Sequence, residues 1–175
     1  MSAVLNLDSI DLPINEGKIC MSAFPGRLGK SDFSYDIMES TFSYLENNKY
    51  IILVSLIEEN EFEQFLPKEQ FLELLNHRNF GWRHHPIKDM LPPDGEFLLN
   101  FSDTHSEMIN AVRSGFGVAL HCKGGLGRSG TIAALLLRDF GFSSRQAIQM
   151  VRKTRPGTIE TTEQEQFLLS FEDNR

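Results

Sequence analysis

Ten consecutive residues concentrate reactive chemistry in this chain: His121-Cys122-Lys123-Gly124-Gly125-Leu126-Gly127-Arg128-Ser129-Gly130. A glycine-rich turn that runs straight into a helix gathers backbone N–H groups around a concave space. The helix dipole adds about half a positive charge there. A phosphate dianion fits such a nest, built here from Lys123, Gly124, Gly125, Leu126, Gly127 and Arg128, with the Lys123 ammonium adding charge at the rim. Cys122 is placed at the strand end, where the same field favours the thiolate, the nucleophilic form of a thiol. Arg128 offers a planar fork that suits two phosphate oxygens at once. Its grip should tighten as charge spreads over the equatorial oxygens in the transition state. Ser129 can donate its hydroxyl to the sulfur and ease departure of the thiolate in a second step. The expected chemistry is phosphoryl transfer to Cys122.

A lone buried cysteine after a strand is more often structural than reactive. Here a cysteine, five intervening residues and then Arg-Ser-Gly coincide with a strand, a glycine loop and a helix, and that coincidence favours chemistry. Other motifs fail on particular residues. Gly125-x-Gly127-x-x-Gly130 matches a dinucleotide fingerprint, but fewer than fifty residues follow it and no acid-ended strand comes about twenty residues later. A nucleotide P-loop needs lysine where this chain has Arg128. The two cysteines, Cys20 and Cys122, lie too far apart in sequence for paired zinc ligands. Neither a metal nor a cofactor is expected.

The elements that must position this loop can be read from hydrophobic patterning. Tyr50–Ile57 is a continuous apolar run of the kind found in strands buried on both faces. Val118–His121 is a second, short strand, and Ile19–Phe24 and Trp82–Ile87 are weaker candidates. Helices are expected over Tyr35–Asn47, around Phe71–Leu75 with Pro67 in the first turn, around Met108–Val112 up to Gly115, and over Ser129–Phe140, closed by Gly141. Ser143 with Gln146 and Thr161 with Gln164 are capping-box pairs that open two more, the first running to about Thr154 before Pro156-Gly157. Strands alternating with helices predict an α/β fold with a central, mostly parallel sheet flanked by helices. Ligands of such sheets bind beyond the carboxyl ends of the strands, which is where Cys122 falls.

Composition narrows the function further. A chain of 175 residues suits one domain, expected over 1–175 with its core at about 19–171, and no internal repeat or linker divides it. With 41% hydrophobic and 23% charged residues, disorder is not the default. A net charge of -7 argues against a general nucleic-acid binder, while leaving room for a local basic pocket. Asp8, Asp11 and Glu16 precede the first lysine, the wrong polarity for a secretory leader, and no run approaches a membrane span. Two cysteines make no disulfide framework, so a reducing, cytoplasmic setting is expected.

His-Cys-(x5)-Arg-Ser-Gly resembles the signature of the protein tyrosine phosphatases, and the short chain looks like their dual-specificity branch. The likeness spans about Ile19 to Phe171. Within that branch His84-His85-Pro86-Ile87, followed by Asp89, and the loop Gly-Gly-Leu-Gly-Arg-Ser are similar to the cyclin-dependent-kinase-associated phosphatase group. Arg155-Pro156-Gly157 and His121-Cys122-Lys123 are similar to proline-directed cell-cycle phosphatases. The resemblance implies two-step hydrolysis through a cysteinyl phosphate. It also implies a general acid some thirty residues before the cysteine, on a mobile loop. Asp89 lies 33 positions upstream of Cys122, Asp94 lies 28 and Asp103 lies 19; Asp89 is favoured and Asp94 competes. Met90-Leu91-Pro92-Pro93 follow where glycines would be expected, which implies stiffer closure.

Gln164 matches the family glutamine that positions the hydrolytic water, its alternative being a solvated residue of a first helical turn. His121 is expected to anchor the loop through ring hydrogen bonds, and His84 and His85 to be structural. Arg27 and Lys30 are expected to be solvated. Cys20 is expected to be a packed strand residue, with a disulfide to an oxidised Cys122 as its alternative. The implied substrates are phosphotyrosine and phosphoserine or phosphothreonine in proteins, a phosphorylated kinase among the candidate partners. No nucleic acid or membrane partner is expected, the state is expected to be monomeric, and a nuclear location would also suit a eukaryotic source. Hydrolysis of phosphoinositides or RNA 5′ ends, and phosphate binding without turnover, are the alternatives.

Overall fold

The computed structural model describes residues 5–13, 17–30 and 32–171. In chain order the elements are β1 (Leu7–Asp11), β2 (Lys18–Ser22), β3 (Arg27–Leu28), β4 (Asp32–Phe33), α1 (Tyr35–Asn47), β5 (Tyr50–Ser55), α2 (Glu59–Phe62) and α3 (Lys68–Leu75). There follow β6 (Gly81–His84), α4 (Gly95–Arg113), β7 (Gly117–His121), α5 (Gly127–Leu137), a 3₁₀ turn (Arg138–Phe140), α6 (Ser144–Thr154) and α7 (Thr162–Leu169). Five strands form one sheet in the order β1-β2-β7-β5-β6, and β3 and β4 pair separately. The pairs β2–β7, β7–β5 and β5–β6 are parallel, and only β1 runs antiparallel, along the edge of β2. The mostly parallel α/β arrangement agrees with the sequence expectation.

β7 is the middle strand and is buried throughout, as its apolar sequence requires. Gly117 opens it because a Cβ there would come within 2.4 Å of the Tyr50 ring on the neighbouring strand. All eleven residues of α5 are buried, so this helix is surrounded, with α6 and α7 beside it and β2 and β7 beneath. α4 lies against β7 and α1 against β5.

Several elements differ from the patterning. α5 starts at Gly127 rather than Ser129, which puts Arg128 and Ser129 in its first turn. Pro67 is the N-cap of α3, one residue before the helix, and not part of its first turn. β6 stops at His84; His85 N still donates to Ser55 O and Ile87 N to Leu56 O, but Pro86 between them has no N–H to give. β5 likewise ends at Ser55. α4 begins thirteen residues before Met108, capped by the Asp94 carboxylate, which accepts from Phe97 N. β1, whose Asp8 and Asp11 hide a two-residue alternation, and the short α2 gave no sequence signal. Glu16 lies outside the described residues.

Candidate active site

The loop between β7 and α5 is shaped by what holds its carbonyls. Lys123 O accepts from Arg27 Nη1 at 2.6 Å and from Phe24 N at 3.2 Å. Gly124 O and Gly125 O accept from Arg155, through Nη2 at 3.2 Å and Nε at 2.7 Å. Leu126 O accepts from Ile159 N at 3.2 Å and Gly130 N at 3.1 Å, and Gly127 O from Thr131 Oγ1 at 2.8 Å. A trans peptide points its carbonyl and the next N–H in opposite directions. With every carbonyl from Lys123 to Gly127 tied to an outer partner, the following N–H groups turn toward the inside of the loop, as an anion nest requires. Gly125 is needed for the path: its φ is +73°, and a Cβ would fall 2.3 Å from the Ser22 backbone.

Cys122 lies on the floor of this nest, 2% exposed. Its Sγ accepts from Gly125 N at 3.2 Å and sits 3.3 Å from Ser129 Oγ, so both groups can stabilise a sulfur anion. Arg128 is also 2% exposed, and its guanidinium grips Glu61: Nη1 meets Oε2 at 2.6 Å and Nη2 meets Oε1 at 2.9 Å. Nη1 donates a further bond to Ile87 O at 3.1 Å. Burial alone would raise the Glu61 pKa, but the Arg128 hydrogen bonds, with the Glu58 N–H, hold it below the usual carboxylate range. Burial likewise disfavours the Arg128 cation, and Glu61, Cys122 and Asp89 together raise its pKa in spite of that. Among the described residues Arg128 Nε is buried without a hydrogen-bond partner. Glu61 escaped the sequence reasoning because it stands 67 positions before Arg128, and its local role, a capping box with Glu58 at the start of α2, gives no hint of that partner.

His121 is wholly buried between three fixed groups. Trp82 Nε1 donates to Ser55 Oγ at 2.8 Å, Ser55 Oγ lies 2.5 Å from His121 Nε2, and His121 Nδ1 lies 3.3 Å from Cys122 O. An indole N–H can only donate and a carbonyl only accept. The hydroxyl of Ser55 therefore donates to Nε2, and the ring carries its proton on Nδ1, directed at Cys122 O. Burial pushes the His121 pKa down to about 3, so the ring is a neutral strut.

Asp89 is brought to the loop. Its Oδ1 lies 3.0 Å from Arg128 Nη2, while its backbone N–H donates to Glu58 Oε2 at 3.4 Å. Asp94 is not brought there: its carboxylate is committed to Phe97 N at 2.8 Å as the cap of α4. Met90 follows Asp89 with φ +63°, a left-handed conformation that costs a non-glycine residue roughly 1–2 kcal/mol. The absence of the expected glycine is thus a real departure, accommodated by strain. Gln164 is fully buried, which excludes the solvated alternative. Its Oε1 accepts from Glu160 N at 2.9 Å and Thr161 N at 3.4 Å, and its Nε2 donates to Leu91 O at 3.3 Å. A Cβ on Gly127 would come within 3.0 Å of that Nε2, so Gln164 borders the nest.

Of the remaining residues, Arg27 is not a solvated side chain: besides Lys123 O it binds Gly29 O and Lys30 O. Arg155, quoted only as part of a motif, is a buried clamp that also reaches Asp8 and Asn6. His84 Nε2 lies 2.8 Å from Ile57 O and His85 Nε2 lies 2.8 Å from Thr104 Oγ1, both structural contacts. Cys20 is a packed strand residue whose thiol burial pushes up to about 12. Its register partner is Ala119, three residues before Cys122. Three strand residues span roughly 10 Å, beyond the roughly 7 Å that a disulfide tolerates between Cα atoms, so the proposed bridge is ruled out. Among the described residues no cluster of three or more His, Cys, Asp or Glu side chains could hold a metal ion. No helix among them is long and apolar enough to cross a membrane.

Comparison with known proteins places this geometry among relatives. Cyclin-dependent kinase inhibitor 3 of Rattus norvegicus is 33% identical over 105 residues, 58% of this chain and 48% of that protein, so the chain spans about half the length of that relative. The crystal structure of kinase associated phosphatase (KAP), with serine in place of its catalytic-site cysteine, superposes with a TM-score of 0.81, covering 99% of this chain and 97% of that one; at 23% identity it supports the fold. The active form of Tk-PTP superposes with a TM-score of 0.66 at 32% identity, covering 90% and 92% of the two chains. The family described as Swiss Army Knife protein, DSP-PTPase phosphatase domain, matches residues 53–168, a span that holds Glu61, Asp89, the whole phosphate nest and Gln164. By that match, over more than half its length, the chain belongs to the DSP-PTPase phosphatase-domain family.

Proposed function

We propose that this chain is a protein phosphatase that hydrolyses phosphotyrosine and phosphoserine or phosphothreonine through a cysteinyl-phosphate intermediate. The observation that carries it is a sulfur on the floor of an amide nest, accepting from Gly125 N, with the Arg128 guanidinium close enough for the two charges to interact. In the first step Cys122 thiolate attacks phosphorus, the S–P bond forms and the P–O ester bond breaks. The departing oxygen takes a proton from Asp89. Nest amides and Arg128 stabilise the charge on the equatorial oxygens. In the second step water attacks phosphorus and gives its proton to Asp89, the S–P bond breaks, and Ser129 stabilises the released thiolate. Glu61 holds both Nη atoms of Arg128, so in this arrangement Nε, rather than the two-pronged fork the sequence suggested, is the guanidinium donor left for phosphate. His121 fixes the first carbonyl of the loop. Gln164, at the border of the nest, is suited to orient the water.

The substrate assignment is supported by family membership and by relatives named for kinase association; a phosphorylated kinase is the partner we favour. A thiolate enzyme needs a reducing setting, and both cysteines are free, which supports a cytoplasmic location. The deciding experiment is turnover of p-nitrophenyl phosphate by the wild type and Cys122→Ser, followed by phosphopeptide, phosphoinositide and RNA 5′-phosphate panels. Wild-type turnover should persist in a chelator and vanish in the variant, with phosphate binding retained. Near-wild-type activity in Cys122→Ser would remove the nucleophile assignment, and preference for lipid or RNA would redirect the substrate class.

A further inference from the structure

Lys88 to Leu91 form a tight turn, closed by Leu91 N donating to Lys88 O at 3.1 Å, with Asp89 and Met90 at its corners. Met90 takes φ +63° at the third position, where turns of this shape prefer glycine or asparagine. The turn is poorly packed: Met90 is 48% and Leu91 47% exposed. Near it lies a cavity of about 530 Å³ lined in part by Ile87, Leu91, Pro92, Pro93 and Phe97, which leaves the segment room to move. Packing therefore does not explain why Asp89 points at Arg128.

The Asp89–Arg128 pair and the bond from Asp89 N to Glu58 Oε2 hold one side of the turn, and hydrogen bonds from a distant element hold the other. Thr161 Oγ1 donates to Met90 O at 3.2 Å, and Gln164 Nε2 donates to Leu91 O at 3.3 Å, two consecutive carbonyls held by the first turn of α7. Both donors are themselves oriented by the capping box of that helix. Thr161 Oγ1 accepts from Gln164 N at 3.2 Å, and Gln164 Oε1 accepts from Glu160 N and Thr161 N. One set of groups therefore caps α7 and ties down the strained turn. Resting on the phosphatase assignment above, we infer that Thr161 and Gln164 are positioning residues that latch the acid turn, so that Asp89 reaches the leaving oxygen only while the cap of α7 is intact.

A latch of this kind has a chemical signature. p-Nitrophenolate is a weak base and leaves with little protonation, whereas phenolate and alkoxides require the acid. Weakening the latch should therefore slow phenyl phosphate much more than p-nitrophenyl phosphate. The experiment measures kcat and KM for both esters with wild type, Asp89→Asn, Thr161→Val, Thr161→Ser and Gln164→Glu. Thr161→Val should lower kcat roughly ten-fold on phenyl phosphate, a fraction of a full general-acid loss, and far less on p-nitrophenyl phosphate. Thr161→Ser, which keeps the hydroxyl, should restore the wild-type ratio. Gln164→Glu keeps the acceptor for Glu160 N and Thr161 N and loses the donor. Because Gln164 also borders the water site, it should slow both esters. The latch is read there, even if the valine variant folds poorly, from the further fall on phenyl phosphate relative to p-nitrophenyl phosphate. Equal losses on both esters, or an unchanged ratio in both variants, would overturn the latch. If instead Asp89→Asn leaves the ratio unchanged, or the wild type turns over neither ester, the acid or phosphatase assignment has failed rather than the latch.

Discussion

Each candidate reactive side chain depends on partners that fix its charge or direction. The Arg128–Glu61 pair is the strongest case, because both groups are nearly excluded from water. Removing one member of such a pair leaves the other charge buried, a loss of about 3–5 kcal/mol. Arg128→Ala should thus abolish turnover and lower the urea midpoint sharply, whereas Arg128→Ala combined with Glu61→Gln should recover part of the stability and none of the activity. Chemical denaturation of the three proteins checks this. Asp89 and Asp94 give a contrast within five residues. Asp89→Asn should cut kcat by roughly 10²–10⁴ on esters of poor leaving groups. Asp94→Asn should change kcat little, since asparagine caps a helix nearly as well as aspartate. A reversed order in the two rates would show that the acid was misassigned.

The unit at the next scale is the loop together with the elements that pull its carbonyls outward. Arg155, at the end of α6, joins the loop to β1: it holds Gly124 O and Gly125 O, and its other contacts run to Asp8 on β1 and to Asn6 just before it. Arg155→Ala would leave two loop carbonyls without those donors, at about 1–3 kcal/mol each where they are buried, and would let the following amides turn away from the nest. Turnover should fall by a similar factor on phenyl and p-nitrophenyl phosphate, because a disordered nest harms phosphate binding whatever the leaving group. A loss confined to the poorer leaving group would place Arg155 with the acid turn instead. Patterning made β5, β7, α5 and the capping boxes of α6 and α7 legible, because buried parallel strands and helix starts write local signals. β1, an edge strand with acids in it, and α2, a single turn, wrote none.

Over the whole molecule, the buried neutral His121 links the site to stability. Its folded pKa lies near 3, below the unfolded value of about 6.5, so the unfolded chain binds the extra proton. Stability should be unaffected by this group above pH 6.5 and decline as pH falls toward 3, by up to about 1.4 kcal/mol per unit. His121→Asn should be less stable at pH 7 yet show a flatter decline between pH 6.5 and 4. A wild-type and variant slope that match over that range would remove His121 as the cause. Glu61, with its pKa depressed, adds to the loss on the acid side as its carboxylate is protonated.

The sequence by itself pointed to phosphoryl-transfer chemistry and determined the α/β layering. Nucleophile, nest and arginine lie within seven consecutive residues, where spacing alone sets geometry, and strand burial is written in continuous apolar runs. Tertiary structure decided everything supplied across the chain: Glu61 as the partner of Arg128, Arg27 and Arg155 as holders of the loop, Asp89 rather than Asp94 beside Arg128, and the tie from α7 to the turn that carries Asp89. Those contacts join residues 30 to 150 positions apart, and no local pattern of side chains encodes which of many charged groups the fold will bring together.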